Sequence, residues 1–208
     1  MPVIEVAGLV VRYGNLTAVA GVSFSADAGE VVALLGPNGA GKTTTVETLV
    51  GFRKPDSGRV RVLGLDPVRQ HEALTPRIGV MLQEGGVYPG IRPLEVLRLY
   101  AAFHDDPESP EIMLERLGLQ HRRDATWRQL SGGEQQRLAV ACALAGDPEL
   151  IILDEPTASL DRVSATILVE VLAGVASRGA TMVVATHDPL VIDAGQTIAE
   201  LDHGRRVR

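Results

Sequence analysis

Five apolar residues, 31–35, run directly into Gly36-Pro37-Asn38-Gly39-Ala40-Gly41-Lys42-Thr43, and Thr44-Thr-Val-Glu-Thr-Leu-Val50 follows. In order these read as a buried strand, a Gly-rich turn and the opening of a helix, a succession that few folds accommodate. Gly36, Gly39 and Gly41 let the backbone wrap closely around an anion, because residues without a Cβ tolerate the dihedrals required. The unpaired N–H groups at the helix start then point at that anion, with the helix dipole favouring negative charge. Lys42 supplies an ammonium for the β- and γ-phosphates of a nucleotide, and Thr43 a hydroxyl for Mg²⁺. The plainer alternative is an ordinary turn before a helix; the strand on one side and the helix on the other favour nucleotide binding.

At 208 residues the chain is one large domain, or a domain with an inserted lobe. Its 45% of apolar residues supports a sizeable core, and with aromatics at 3% that core is filled by Val, Leu, Ile and Ala. The net charge of −6 argues against a broad nucleic-acid surface, so no nucleic-acid partner is expected. The single cysteine, Cys142, forms no intramolecular disulfide and suits a reducing cytosol. It lies in Leu138-Ala-Val-Ala-Cys-Ala-Leu-Ala145, which reads as a packed helix, so it is taken as a small core residue and not a nucleophile. That apolar run is well short of the ~20 residues that span a bilayer. The start, Met1-Pro-Val-Ile-Glu5, carries no basic region followed by an apolar core, so no signal peptide is expected. The expectation is a soluble chain, with any membrane part supplied by another chain.

Residues 3–6, 10–13 and 19–25 read as short strands with a Gly14-Asn15 turn, an antiparallel edge sheet ahead of the nucleotide core. Tyr13, an aromatic among small aliphatics, has two readings, strand packing or stacking on adenine, and spacing alone does not separate them. Residues 59–63 and 78–82 are further strands, the second ending on Gln83, and 84–93 form a flexible joint by composition. Helical periodicity over 94–103, 111–117 and 134–145 reads as an inserted lobe. Beyond it, strand 150–153 ends on Asp154-Glu155-Pro156, a helix covers 162–177, strand 181–185 ends on Thr186-His187-Asp188, and a last strand lies near 198–201. This alternation predicts an α/β fold, a mainly parallel sheet covered by helices on both faces. Ligands of such sheets sit at the carboxyl ends of the strands, so the phosphate loop, Gln83, Asp154-Glu155 and His187 should converge.

Within that cluster, a strand ending in Asp154 places a carboxylate for Mg²⁺, directly or through water. Glu155 is well placed to polarise a water aimed at the γ-phosphate. Alone, two acids before a proline are equally a strand-end turn; the upstream phosphate loop favours the functional reading. Gln83 is suited to touch Mg²⁺ and the water, and His187 to hydrogen-bond the γ-phosphate. The other histidines, His71, His104, His121 and His203, are expected to be solvated. The second sharp stretch is Leu130-Ser131-Gly132-Gly133-Glu134-Gln-Gln-Arg137. Ser131 and Glu134 make a capping box for the helix that follows, and Gly132 and Gly133 expose backbone N–H groups as a second anion site. One triphosphate in one domain has no evident need of two such sites, whereas two copies arranged head to tail would.

Together these motifs resemble those of ABC-transporter ATP-binding subunits: residues 36–43 match that family's Walker A, 150–155 its Walker B and 130–134 its signature. Gln83 matches the Q-loop, Ser159-Leu160-Asp161 the D-loop, His187 the switch histidine and Tyr13 the adenine-stacking aromatic. The matches keep family order and span nearly the whole chain, and the signature separates this family from other P-loop ATPases. The resemblance implies a P-loop NTPase core (residues 1–83 and 148–208) with an N-terminal antiparallel β subdomain, and a helical subdomain over 84–147 carrying the signature. It implies ATP and Mg²⁺ as cofactors, with nucleotide contacts from Tyr13, Gly36, Pro37, Asn38, Gly39, Ala40, Gly41, Lys42, Thr43 and Thr44. Glu134 and Asp161 complete the implied nucleotide contacts, and Ser131, Gly132 and Gly133 would meet the nucleotide of a second copy in a head-to-tail dimer. Thr43, Gln83 and Asp154 would serve the metal, and Glu155, His187, Gln83 and Lys42 the hydrolysis. An integral-membrane permease would dock near residues 84–95, holding the chain on the cytoplasmic face of the cell membrane.

Glu134 departs from the Gln commonest in the family. A capping box accepts either, and a Glu turned back on its own helix stays off the γ-phosphate, so little loss is expected; turned inward, the carboxylate would repel ATP. Residues 36–45 and 81–88 are further similar to ATPases of ABC-2 type, drug-resistance-like exporters. The chain stops soon after its last strand, so no C-terminal regulatory domain is expected. The rival class is a soluble ABC ATPase without a permease, of the cofactor-assembly kind. A nucleotide-binding module without turnover is disfavoured by the intact Glu155 and His187.

Overall fold

The computed structural model describes residues 2–83, 87–104, 107–158, 160–188 and 197–207. From the N-terminus, β1 (Ile4–Tyr13) and β2 (Leu16–Ala26) form a hairpin, β3 (Val31–Leu35) leads through the Gly-rich turn into α1 (Lys42–Leu49), and β4 (Ser57–Val62) returns to β1. A short α2 (His71–Leu74) precedes β5 (Ile78–Met81). Helices α3 (Pro93–Ala101), α4 (Pro110–Arg116) and α5 (Gly132–Leu144) follow. Next come β6 (Leu150–Asp154), α6 (Arg162–Ala176), β7 (Thr181–Thr186) and a closing hairpin, β8 (Thr197–Asp202) with β9 (Arg205–Arg206).

The strands divide into two sheets. One is antiparallel, in the order β2-β1-β4; the other runs β5-β6-β7-β3-β8-β9 and is parallel except for β9. In the second, β6 and β7 are buried along their whole length, as a parallel sheet covered on both faces requires. Their period-two alternation splits them between two cores. Leu150, Ile152, Val183 and Ala185 join β1, β2, β4 and α1 on one face. Ile151, Leu153, Met182 and Val184 join α3, α4, α5 and α6 on the other. Among the described residues the helical segment therefore has no apolar core separate from the sheet; it shares the second one.

Register decides where the chemistry sits. Leu35 is opposite Thr186 and Asp154 opposite Ala185, while β5 runs beside β6 with Met81 opposite Leu153. The residues after these strand ends therefore leave the sheet along a single rim. That is the convergence expected from the alternation of strands and helices.

The antiparallel sheet differs in detail from the expected short segments. β1 and β2 are continuous, and the break foreseen near residues 7–9 is a bulge: Val6 pairs with Phe24 but Leu9 with Val22. Gly8 absorbs the extra residue at φ +60°, and its N–H donates to the Ser23 hydroxyl at 2.8 Å. β9 was not foreseen, because two exposed arginines carry no strand pattern. Part of the joint, residues 84–86, and Ser159 of the expected D-loop lie outside the described residues. Among the described residues no helix is long and apolar enough to cross a membrane.

Candidate nucleotide site

Between the end of β1, the Gly-rich turn and the rim of the parallel sheet lies a cleft of about 680 Å³, within the usual size range of ligand sites. Of the residues expected at the site, Tyr13, Asn38, Gly39, Gly41, Lys42, Thr43, Thr44, Gln83, Glu155 and His187 line it. Gly36, Pro37 and Ala40 form the turn behind it. Gly36 sits at φ +151°, where a Cβ would overlap the Leu201 carbonyl oxygen, and Gly41 caps α1 at φ +98° with the Ala18 carbonyl where its Cβ would be. Both positions demand glycine, because the loop is pressed against β2 and β8.

Lys42 opens α1 and is only 6% exposed. Its Nζ donates to the carbonyls of Gly36 at 2.7 Å and Pro37 at 3.3 Å, and lies 3.2 Å from Glu155 Oε1. Glu155 follows β6 at φ +51°, an unfavourable backbone for a residue with a side chain. Two hydrogen bonds hold it there: its N–H donates to the Ala185 carbonyl at 2.7 Å, and its carbonyl accepts from Gln136 Nε2 at 2.8 Å. Its second carboxylate oxygen is 3.0 Å from His187 Nδ1, and the His187 side chain is 66% exposed. The carboxylate is thus clamped between an ammonium within the fold and an imidazole at its edge.

Asp154 is fully buried, and neither carboxylate oxygen has a hydrogen-bond partner. Burial pushes its carboxyl above the usual range and the Glu155 charge adds to that rise, while the Thr43 hydroxyl, near but outside hydrogen-bond geometry, works against it. Two orphaned oxygens in a buried carboxylate are costly unless something occupies the space in front of them. A hard divalent cation with oxygen ligands fits this donor set of Asp154 and Thr43, with Gln83 exposed nearby on the cleft wall. No cluster of three His, Cys, Asp or Glu able to hold a metal occurs among the described residues, so most of a cation's remaining ligands would be water or phosphate.

The signature stretch lies outside this cleft. Ser131 and Glu134 form the expected capping box: the Ser131 N–H donates to Glu134 Oε2 at 2.7 Å, and the Glu134 N–H to Ser131 Oγ at 3.3 Å. Glu134 Oε1 meets Arg122 Nε at 3.1 Å and His121 Nε2 at 3.5 Å. Burial opposes ionisation of Glu134, but the Ser131 hydrogen bonds, Arg122 and His121 outweigh it and hold the carboxyl below its ordinary range. A Cβ on Gly132 would meet nothing within 4 Å. Asp161, expected at a nucleotide, does not line the cleft. It caps α6, its carboxylate accepting from the Ser164 N–H at 2.8 Å and hydroxyl at 3.1 Å.

Two of the histidines expected to be solvated are half-buried. His71 packs against the Phe52 ring at 5.8 Å with a buried Nδ1, and His104 lies flat on Gly146. His203 is solvated, yet it lines the cleft: the β8–β9 hairpin docks on the phosphate loop and β2 through Gly204, whose N–H donates to the Ala40 carbonyl and whose carbonyl accepts from the Ala20 N–H. Nothing near residue 203 in sequence signals this. Cys142 is a buried core residue, as expected.

Comparison with known proteins agrees with this geometry. A family model described as ABC transporter matches residues 19–158. The Nod factor export ATP-binding protein I of Ralstonia nicotianae is 37% identical over 215 residues, covering 96% of this chain and 67% of that protein. The dimeric post-hydrolysis state of the ATP-binding cassette MJ0796, bound to ADP and Pi, superposes with a TM-score of 0.88 at 27% identity, covering 99% of this chain and 97% of that one. The cbiO1 protein of Clostridium perfringens, part of the ABC transporter complex cbiONQ, superposes with a TM-score of 0.81 at 29% identity, covering 100% and 87%.

Proposed function

The chain belongs to the ABC transporter family as an ATP-binding, ATP-hydrolysing cassette, and from that premise we propose how its own residues divide the work. Tyr13 stacks on the adenine and the turn 36–44 wraps the phosphates, with Lys42 exchanging its carbonyl and Glu155 contacts for phosphate oxygens. Glu155, released from that ion pair, polarises the attacking water, and His187 holds both in line. Asp154, Thr43 and Gln83 would hold Mg²⁺, which when bound would offset phosphate charge. The observation that carries this reading is the buried Lys42–Glu155 contact at 3.2 Å beside an Asp154 with two unpartnered oxygens, at the rim where Gln83 and His187 also arrive.

Two copies associate head to tail, each closing the other's nucleotide with Ser131-Gly132-Gly133 and Asp161. The dimeric cassette it superposes on supports this, as does a helix N-terminus whose glycines stand clear of the chain's own cleft. ATP favours the closed dimer by binding it more tightly than the open state. Residues 84–147 act as the moving lobe.

A separate membrane permease docks near 84–95, keeping the chain at the cytoplasmic face of the membrane. The exposed Tyr88 supports this, and so does an apolar groove of about 400 Å³ framed by the exposed Phe52 and Phe103, which shares Val80, Tyr100 and Cys142 with a cavity lined by Val87. Tyr100 lines both that groove and a cavity reaching Gln83, so a docked partner would sit one residue from the nucleotide cleft. Similarity to a protein named for export supports reading the transporter as an exporter.

Light scattering behind size exclusion tests the core of this. Glu155→Gln keeps shape but removes the carboxylate, so it should run as a monomer without nucleotide and as a dimer with MgATP. Adding Ser131→Arg should restore the monomer without abolishing ATP binding. A double variant that still dimerises on ATP would reduce the signature stretch to a helix cap.

A further inference from the structure

Tyr13 does not orient its ring unaided. The Arg53 guanidinium carbon lies 4.3 Å from the ring centroid. Arg53 is carried by the turn after α1, which is pinned where the Phe52 and Arg53 N–H groups both donate to the Glu47 carbonyl, at 2.9 and 3.2 Å. The Glu47 carboxylate closes the group: Oε2 accepts from the Tyr13 hydroxyl at 3.3 Å and lies 3.6 Å from Arg53 Nε. Thr44 Oγ1, 3.4 Å from the same hydroxyl, adds a second tie to α1. Thr44 and Glu47 are three residues apart, hence on one face of the helix that Lys42 begins. The ring is thus fixed at its tip by the phosphate-loop helix and on one face by a cation. Tyr13 lines the cleft and Arg53 does not.

We propose that Arg53 is a positioning residue for the purine base of the nucleotide, holding the Tyr13 ring so that the base stacks on its opposite face. Guanidinium, phenol ring and base then form a three-layer sandwich. The assignment rests on Tyr13 as the base-stacking residue. A planar guanidinium lies flat on an aromatic ring where an ammonium cannot. Its attraction to the ring quadrupole fixes the ring before the ligand arrives, which removes part of the ordering cost of binding. Drawing electron density toward the cation also leaves the other face of the ring less repulsive to a second π-face. None of this touches the phosphates. Arg53 should therefore act on affinity for base-bearing nucleotides and leave base-free polyphosphate alone.

Calorimetric dissociation constants for MgATP and magnesium tripolyphosphate test this on the whole chain carrying Arg53→Ala, Arg53→Lys, Tyr13→Ala or Arg53→Ala with Tyr13→Ala. Arg53→Ala should weaken MgATP by about two- to fivefold, the range of a partly exposed cation–π contact. Tripolyphosphate affinity should not move, and Arg53→Lys should recover part of the loss, since a cation remains over the ring. The Michaelis constant for ATP should rise by the same factor with no matching fall in kcat, the signature of uniform binding loss. In the Tyr13→Ala background, removing Arg53 should add nothing further. MgATP affinity unchanged or tightened by Arg53→Ala, an equal loss for tripolyphosphate, or additive effects of the two substitutions would overturn the proposal. Should Tyr13→Ala itself leave ATP affinity untouched, the stacking assignment falls as well; a strong Tyr13→Ala effect beside a silent Arg53→Ala sinks only the role of Arg53.

Discussion

Replacing Lys42 by Met keeps most of the buried stem and removes the ammonium from a pair sealed inside the fold. Lys42 is 6% exposed and Glu155 5%, with Nζ to Oε1 at 3.2 Å. At an effective dielectric of about 20, two unit charges at that distance attract by roughly 5 kcal/mol. Not all of this is lost, because His187 at the cleft mouth leaves Glu155 a second partner and a path to water. The expected net cost is about 3 kcal/mol, the low end for leaving one member of a buried pair uncompensated. Glu155→Gln on top of Lys42→Met removes the stranded charge, so the double variant should lose only about 1 kcal/mol. In a domain of this size each kcal/mol lowers the melting temperature by about 2–4 °C. Calorimetry of the nucleotide-free protein at neutral pH should therefore show a drop of about 6–12 °C for the single variant, mostly restored in the double. A double variant as unstable as Lys42→Met alone would refute the reasoning, since the loss would then come from the Gly36 and Pro37 carbonyls and not from the carboxylate.

Burial pushes the Cys142 thiol up to about 12, leaving about one molecule in ten thousand as thiolate at pH 8. Ellman's reagent should label native protein at least about a thousandfold more slowly than urea-unfolded protein; comparable rates would mean that α5 opens readily. Glu134→Gln should keep the capping box but lose the Arg122 ion pair, at about 1 kcal/mol for a pair partly shielded from water. Because the folded-state pKa of Glu134 is depressed, its charge stabilises above the unfolded carboxylate value and stops doing so as pH falls through the folded one. The stability gap between wild type and Glu134→Gln, followed by urea denaturation, should therefore close in acid; a gap independent of pH would remove the electrostatic reading.

Local chemistry reached far along this chain. The turn from Gly36 to Thr43, the Ser131–Glu134 capping box, Cys142 as core and the parallel strands ending on Asp154 and Thr186 all depend on a few adjacent residues, whose propensity and pattern suffice to place them. Even the meeting of Gln83, Glu155 and His187 with the phosphate loop followed from a rule about parallel sheets, because one rim collects every strand's carboxyl end.

What adjacency could not supply was decided by packing between distant segments. Arg53 reached Tyr13 only through the turn after α1, forty residues from it in sequence. His203 came to the cleft because a two-residue strand, too short to carry a pattern, folded back against β2. His71 and His104 found apolar cover from Phe52 and Gly146, which no periodicity predicts. Pattern along the chain determines which face of an element is apolar; which distant side chain meets that face depends on how the sheets and helices close over one another.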